Sequence, residues 1–250
     1  MAREVRKAVL LAAGRGKRLG ALTDNVPKPM LEVEGKPLLA HIVDALADLG
    51  VRDVAIVTGY LAAHIDDWCA RHFREHPDLR LTTLPQAELN GTAGAMLLAN
   101  EFVAREDAFI FGWGDILMDI DNYSHFIAGA RSQSYDLMLA VNHIRDPWQG
   151  AAVYVDSNMQ VEKIVEKPPQ GTSTTTWNNA GLFAATPRIF DYLEKSKPSS
   201  RGELELTDAI AMMIADGCIV RAIDVRGFWS DVGTPEDLDR ARKLFKPPHE

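Results

Sequence analysis

The chain has 250 residues, of which 46% are hydrophobic and 25% charged, and a formal net charge of -8. That length holds one sizeable core, or one core with a small lobe, and the acidic balance argues against non-specific nucleic-acid binding, so an anionic ligand must meet a local concentration of positive charge. Two distant cysteines, Cys69 and Cys218, make neither a disulfide framework nor a metal cluster, and no apolar run reaches the length of a signal-peptide core or membrane span. These features predict a cytoplasmic protein with no membrane partner.

Apolar runs of strand length occur at Lys7–Ala12, Asp53–Val57 and Leu79–Leu84, with a helical pattern between the first two. In it Leu38, Leu39, Ile42, Val43, Leu46 and Leu49 recur at helix spacing and stop at Gly50, a natural C′ residue. A second amphipathic segment, Thr92 to Phe102, precedes a strand at Ala108–Phe111. Alternation of this kind predicts an α/β fold, with a Rossmann-like, mainly parallel mixed sheet flanked by helices on both faces. Further strands are expected at Asp136–Val141, Ala151–Val155, Val161–Val165, Ala180–Ala184 and Ile219–Val225, and their closer spacing predicts antiparallel additions. Gly171 to Thr176 reads as a polar loop. Thr234, with Asp237 three positions on, looks like a capping arrangement before a helix to Phe245.

The first strand runs into Ala12, Ala13, Gly14, Arg15, Gly16, Lys17 and Arg18, and continues through Thr23 to Pro27-Lys28-Pro29. A strand feeding a glycine-rich basic loop brings backbone N–H groups and cationic side chains to a polyphosphate; a plain surface turn is the alternative. A dinucleotide site fits poorly, because Gly14, Gly16 and Gly20 are spaced GxGxxxG, no helix pattern opens at the loop, and the next strand ends in Thr58-Gly59-Tyr60 without an acidic residue for a ribose. A P-loop fails for want of its GK[ST] ending.

Ligands in open α/β sheets lie beyond the carboxyl ends of the strands, and unusual residues of this chain fall there. Ala108–Phe111 leads into Gly112-Trp113-Gly114-Asp115, where a carboxylate could hold a hard cation, although an Asp after Gly is often only a turn residue. Asp231, in Trp229-Ser230-Asp231-Val232-Gly233-Thr234, is a second candidate. Glu166-Lys167-Pro168 and Arg201-Gly202-Glu203-Leu204-Glu205-Leu206-Thr207-Asp208 add charge at what could equally be solvated turns.

Taken in order, Gly14, Gly16, Arg18, Pro27, Lys28, Gly114, Asp115, Glu166, Lys167, Pro168, Asp231, Gly233 and Thr234 resemble the pattern of the sugar-1-phosphate nucleotidylyltransferases, over about residues 7 to 245. Pro198 to Asp208 is similar to a segment of the short glucose-1-phosphate thymidylyltransferases and uridylyltransferases. The resemblance implies a glycosyltransferase-A-like nucleotidyltransferase fold with a small antiparallel sugar-binding lobe. It also implies one domain over residues 1–250, with about 1–140 as the nucleotide half and about 141–250 as the sugar-phosphate half.

The implied substrates are a nucleoside triphosphate, UTP or dTTP, and a sugar 1-phosphate such as glucose 1-phosphate, giving a nucleotide sugar and pyrophosphate. The resemblance makes Arg18, Lys28 and Asp115 the catalytic residues and Asp115 and Asp231 the Mg²⁺ ligands. It puts nucleotide contacts at Ala12, Ala13, Gly14, Gly16, Arg18, Gln86, Gly91 and Thr92, and sugar-phosphate contacts at Gly150, Glu166, Lys167, Asn179 and Arg201. Ala13 and Ala21 stand where many members carry Gly and Pro. The ending soon after Phe245 sets the expectation of a monomer or small homo-oligomer without acetyltransferase activity. Alternatives are a cytidylyl- or guanylyltransferase of the same family, a silent nucleotide-sugar-binding subunit, or a glycosyltransferase using Asp119-Ile120-Asp121, which instead looks like a helix start.

Overall fold

The computed structural model describes residues 3–247. Strand β1 (Lys7–Ala12) leads through two short 3-10 turns to a small ribbon, β2 (Glu32–Val33) with β3 (Lys36–Pro37), and then to helix α1 (Leu38–Asp48). β4 (Asp53–Thr58), α2 (Ala62–Glu75), β5 (Arg80–Pro85), α3 (Thr92–Leu97), α4 (Asn100–Val103) and β6 (Phe109–Trp113) continue the alternation. Next come β7 (Ile116–Met118), α5 (Ile120–Ser132), β8 (Leu137–His143), β9 (Ala151–Val155), β10 (Val161–Glu166) and β11 (Trp177–Ala185). The chain continues with α6 (Phe190–Leu193), α7 (Leu206–Ala215), β12 (Val220–Asp224), β13 (Trp229–Asp231) and α8 (Pro235–Leu244).

One nine-stranded sheet runs β10-β9-β11-β6-β1-β4-β5, with β8 on β11 and β12 on β8. The β6-β1-β4-β5 block is parallel, whereas β11 is antiparallel to β6, β8 and β9. The expectation of antiparallel additions needs one correction, since β12 lies parallel to β8 and reaches it through a crossover rather than a hairpin. β11 carries an irregularity between Asn179 and Phe183, with Gly181 at φ +79°, so its early residues pair with β8 and β9 and its later ones with β6 and β8.

Both faces of the sheet are covered. Ala8 and Leu10 of β1 face one core with Leu39, Ile42 and Leu46 of α1, Ile65 and Trp68 of α2 and Phe126 of α5. Val9 faces the other, with Phe111, Phe183 and Ile210. This period of two is what a strand buried on both sides requires. Phe111 and Phe183 stack at 4.6 Å, and burying each is worth about 1.5–3 kcal/mol. A third cluster, Leu19, Leu31, Leu117, Val232, Leu238 and Phe245, packs α8 under the glycine loop.

Helix α1 ends at Gly50 as its pattern predicts: the Gly50 and Val51 amides donate to the Ala47 and Leu46 carbonyls. The segment read as one helix from Thr92 to Phe102 is divided between α3 and α4. No helix of the described residues is long and apolar enough to cross a membrane.

α8 begins with a complete capping box, in which the Asp237 amide donates to Thr234 Oγ1 and the Thr234 amide to Asp237 Oδ2. Thr234→Ala is expected to lower unfolding free energy by about 1 kcal/mol in urea titration. An unchanged midpoint would show that the box contributes nothing.

Candidate active site

Three segments far apart in sequence meet where β1 and β6 end. Ile116 pairs with Asp231 across the β7–β13 ribbon, which sets Asp115 beside Asp231. Asp119 and Asn122 anchor that ribbon: the Phe228 amide donates to Asp119 Oδ2 at 2.8 Å, and Asn122 bonds both the N–H and the C=O of Arg226. Asp119 is thus a structural residue at the start of α5, as its sequence context indicates.

Into this corner the Pro27-Lys28 segment projects Lys28, which is 7% exposed. Its Nζ lies 2.7 Å from Asp115 Oδ2 and 3.0 Å from Asp231 Oδ1. Burial opposes the ammonium charge, but the two carboxylates overcome it and raise the Lys28 pKa. Burial also raises the Asp115 pKa, with Asp231 adding to it against the pull of Lys28. Two carboxylates thus share one buried ammonium, and the half-exposed Arg18 stands 3.7 Å from Asp231 Oδ2. Carboxylate oxygens are the hard donors that Mg²⁺ takes, and Asp115 and Asp231 both line one cleft, so this pair fits that ion.

Around this centre lies a cleft of about 420 Å³. Its lining brings together Ala13, Gly14, Arg18, Lys28, Gln86, Gly91, Thr92, Asp115, Lys167 and Asp231 from the sequence-based set. Ala12 is buried beneath the loop, and Gly16 forms the turn at φ +68°, where a Cβ would sit 3.1 Å from Lys28 Cβ. Arg15 is directed elsewhere, to Asp24 and the Tyr60 ring.

The loop after β5 is tied to a distant segment. Leu204 N–H donates to the Asn90 carbonyl, Ala93 N–H to the Leu204 carbonyl, and Leu206 N–H to Thr92 Oγ1. Gly91, at φ +111°, makes this possible: a Cβ there would lie 2.4 Å from the Leu204 carbonyl oxygen. Gln86 Nε2 donates to Asn90 Oδ1 and to the Gly91 carbonyl. Since that carbonyl can only accept, the amide orientation is fixed, which leaves Oε1 as the acceptor for a ligand.

Gly150, Glu166, Asn179 and Arg201 lie outside the lining of this cleft. Lys167 connects to them: its amide donates to the Gly150 carbonyl and its Nζ lies 3.8 Å from Glu166 Oε1. Lys167 holds the left-handed region, at φ +40°. Arg201 is engaged by Glu205 at 2.7 Å and approaches Glu166 at 3.6 Å. Glu166 accepts from Thr207 Oγ1 at 3.3 Å, and burial pushes its pKa up. Asn179 Oδ1 accepts from the Gly181 amide.

Trp113, Leu89 and Glu203 also line the cleft, and the residue reading did not assign them a role. Trp113 carried a signal as an aromatic between two glycines at a strand end, Glu203 carried one only as part of a charged segment, and Leu89 carried none. Asn90, which orients Gln86, carried none.

The family model described as nucleotidyl transferase matches residues 7–246. The chain belongs to the sugar-1-phosphate nucleotidylyltransferase family. It is 36% identical over 238 residues to the bifunctional protein GlmU of Methanocaldococcus jannaschii, covering 95% of this chain and 54% of that protein. The chain therefore spans about half the length of that relative. It is 32% identical to the UTP–glucose-1-phosphate uridylyltransferase AglF of Haloferax volcanii, with 96% of each covered. A solved UDP-glucose pyrophosphorylase complexed with UDP-glucose shares the fold, with TM-score 0.82 and 20% identity over 96% of this chain and 98% of that one.

Replacing Lys28 with Met leaves Asp115 and Asp231 side by side without their buried counter-charge, with only the half-exposed Arg18 near Asp231. The expected cost is about 2 kcal/mol, less than the full penalty of a broken buried pair because Asp231 is 40% exposed. Loss of Lys28 raises the folded-state Asp115 pKa further, and a carboxylate with a raised pKa destabilises the fold above it. The stability gap between Lys28→Met and the parent, followed by thermal unfolding, therefore narrows as pH falls from 8 to about 5. A gap that widened towards acid would contradict the arrangement.

Proposed function

We propose that the chain transfers a nucleotidyl group from UTP or dTTP to a sugar 1-phosphate, glucose 1-phosphate or a related hexose phosphate, releasing pyrophosphate. The observation that carries this reading is the gathering of Gly14, Arg18, Lys28, Asp115, Asp231 and Gln86 around one cleft. The family membership and the name of AglF support it.

In the proposed reaction an oxygen of the sugar phosphate attacks the α-phosphorus in line. The bond from that phosphorus to the bridging oxygen breaks, and pyrophosphate leaves with the electron pair. No protein nucleophile is required, so the residues contribute position and charge. Backbone N–H groups near Gly14 and the Arg18 guanidinium hold the β- and γ-phosphates and the charge that develops on the leaving group. Lys28 neutralises the oxygens around the reacting phosphorus. Held by Asp115 and Asp231, Mg²⁺ would supply further charge neutralisation and orientation at the α-phosphate. Lys167 and Arg201 receive the sugar phosphate, the latter after exchanging its contact with Glu205. Glu166, Asn179 and the backbone at Gly150 bond sugar hydroxyls. On this reading residues 1–250 act as one domain, with about 1–140 serving the nucleotide and about 141–250 the sugar phosphate.

Gln86 supports a pyrimidine with an N3–H. Its Nε2 is committed to Asn90 and Gly91, so Oε1 can accept from the ring N–H of uracil or thymine, whereas cytosine offers a lone pair at that position.

Asp115→Asn is expected to keep the fold and lose about two orders of magnitude or more in kcat at saturating Mg²⁺, and Arg18→Ala to behave similarly. Pyrophosphate release measures both. Near-normal kcat in either variant would remove that residue from the mechanism.

In the same assay, UTP or dTTP should exceed CTP, ATP and GTP in kcat/KM with the best sugar 1-phosphate. Gln86→Ala should shrink the UTP-to-CTP ratio by about tenfold or more. A parent enzyme that prefers CTP or a purine would overturn the pyrimidine reading.

A further inference from the structure

Asp44 of α1 and His72 and His76 at the end of α2 form a cluster remote in sequence from the active-site segments, with one ligand atom from each within 4.8 Å of the others. His76 is the residue that caps α2, four positions after His72, and the two rings lie with centroids 4.5 Å apart. The His76 amide donates to the His72 carbonyl, which keeps the last turn intact.

His72 is 7% exposed, and its far face stacks on Trp68. Its Nε2 is buried, and its polar neighbour there is Asp44 Oδ1, 3.2 Å away in an ion-pair contact. Its separation from the carboxylate oxygen is telling. Atoms bound to a tetrahedral ion at about 2.0–2.1 Å lie about 3.3 Å from one another, close to the observed 3.2 Å.

We infer that Asp44, His72 and His76 bind one transition-metal ion of the Zn²⁺ class, clamping α1 to α2. Two imidazoles and one carboxylate are a three-ligand set for such an ion. The negative end of the α2 dipole points at the same place. The second oxygen of Asp44 faces Lys36 Nζ at 3.5 Å, which leaves Oδ1 for the metal. His76 is exposed and can rotate inward to complete the set. Asp44 and His76 also line a cavity of about 510 Å³, whose wall carries Asp48, Glu75 and Asp78 together with Lys36 and Arg52, so the fourth position opens to water. The ion is distinct from Mg²⁺, which prefers oxygen donors. This inference does not rest on the reaction proposed above.

The test is titration of tag-free protein with Co²⁺ in excess Mg²⁺, read by visible absorption and equilibrium dialysis. One Co²⁺ per chain should bind, with the intense ligand-field bands of four-coordinate cobalt. His76→Ala, at an exposed position, and Asp44→Asn should each weaken binding by at least about tenfold. Asp115→Asn should leave it unchanged. Added Zn²⁺ should raise the unfolding temperature of the parent and not of His76→Ala, with turnover in Mg²⁺ alone the same for both. Failure to take up Co²⁺, uptake indifferent to His76→Ala, or uptake abolished by Asp115→Asn would each overturn the proposal.

Discussion

The structure turns on one buried contact, the Lys28 ammonium held between Asp115 and Asp231. Each partner comes from a different part of the chain, and none could occupy the corner alone without an uncompensated charge. The contact closes the glycine loop onto the ends of β6 and β13 and fixes the distance between two carboxylates. In the proposed reaction the same ammonium that balances these carboxylates turns its charge to phosphate oxygens. A single interaction thus serves folding and the proposed chemistry.

The rest of the fold serves to bring those segments together. Parallel strands β1 and β6 deliver the loop and Asp115 to one edge, and the β7–β13 ribbon carries Asp231 across to them. Asp119 and Asn122 hold the ribbon down. A second tie joins the two halves of the chain, where residues 90–93 are bonded to residues 204–206. Gln86 is oriented from one side of that tie, and Arg201 and Glu205 lie near the other.

Much of the fold was legible because its signals are local. The β1 run and the stop at Gly50 need only apolar periodicity and a left-handed glycine, and the capping box at Thr234 needs only two residues three apart. What escaped is short or long-range. β7 and β13 have three residues each, too few for periodicity, and α2 carries only the narrow stripe Ile65, Trp68, Cys69 and His72. The parallel placement of β12 depends on a crossover that no local pattern encodes. At the site, the strand-end position of Asp115 pointed to carboxylate chemistry and the resemblance paired it with Asp231 as a metal ligand, but the contact of both with Lys28, 203 residues from Asp231, had no signal in the sequence. The engagement of Arg201 by Glu205 and the fixing of Gln86 by Asn90 had no sequence signal.

The most direct test is a crystal structure with the nucleotide sugar and Mn²⁺, located by anomalous scattering. The account requires manganese between the Asp115 and Asp231 carboxylates, phosphates against Gly14 and Arg18, Lys28 Nζ turned to a phosphate oxygen, and the base ring N–H on Gln86 Oε1. Manganese and phosphates bound outside this cleft, with Lys28 still locked between its two carboxylates, would contradict it.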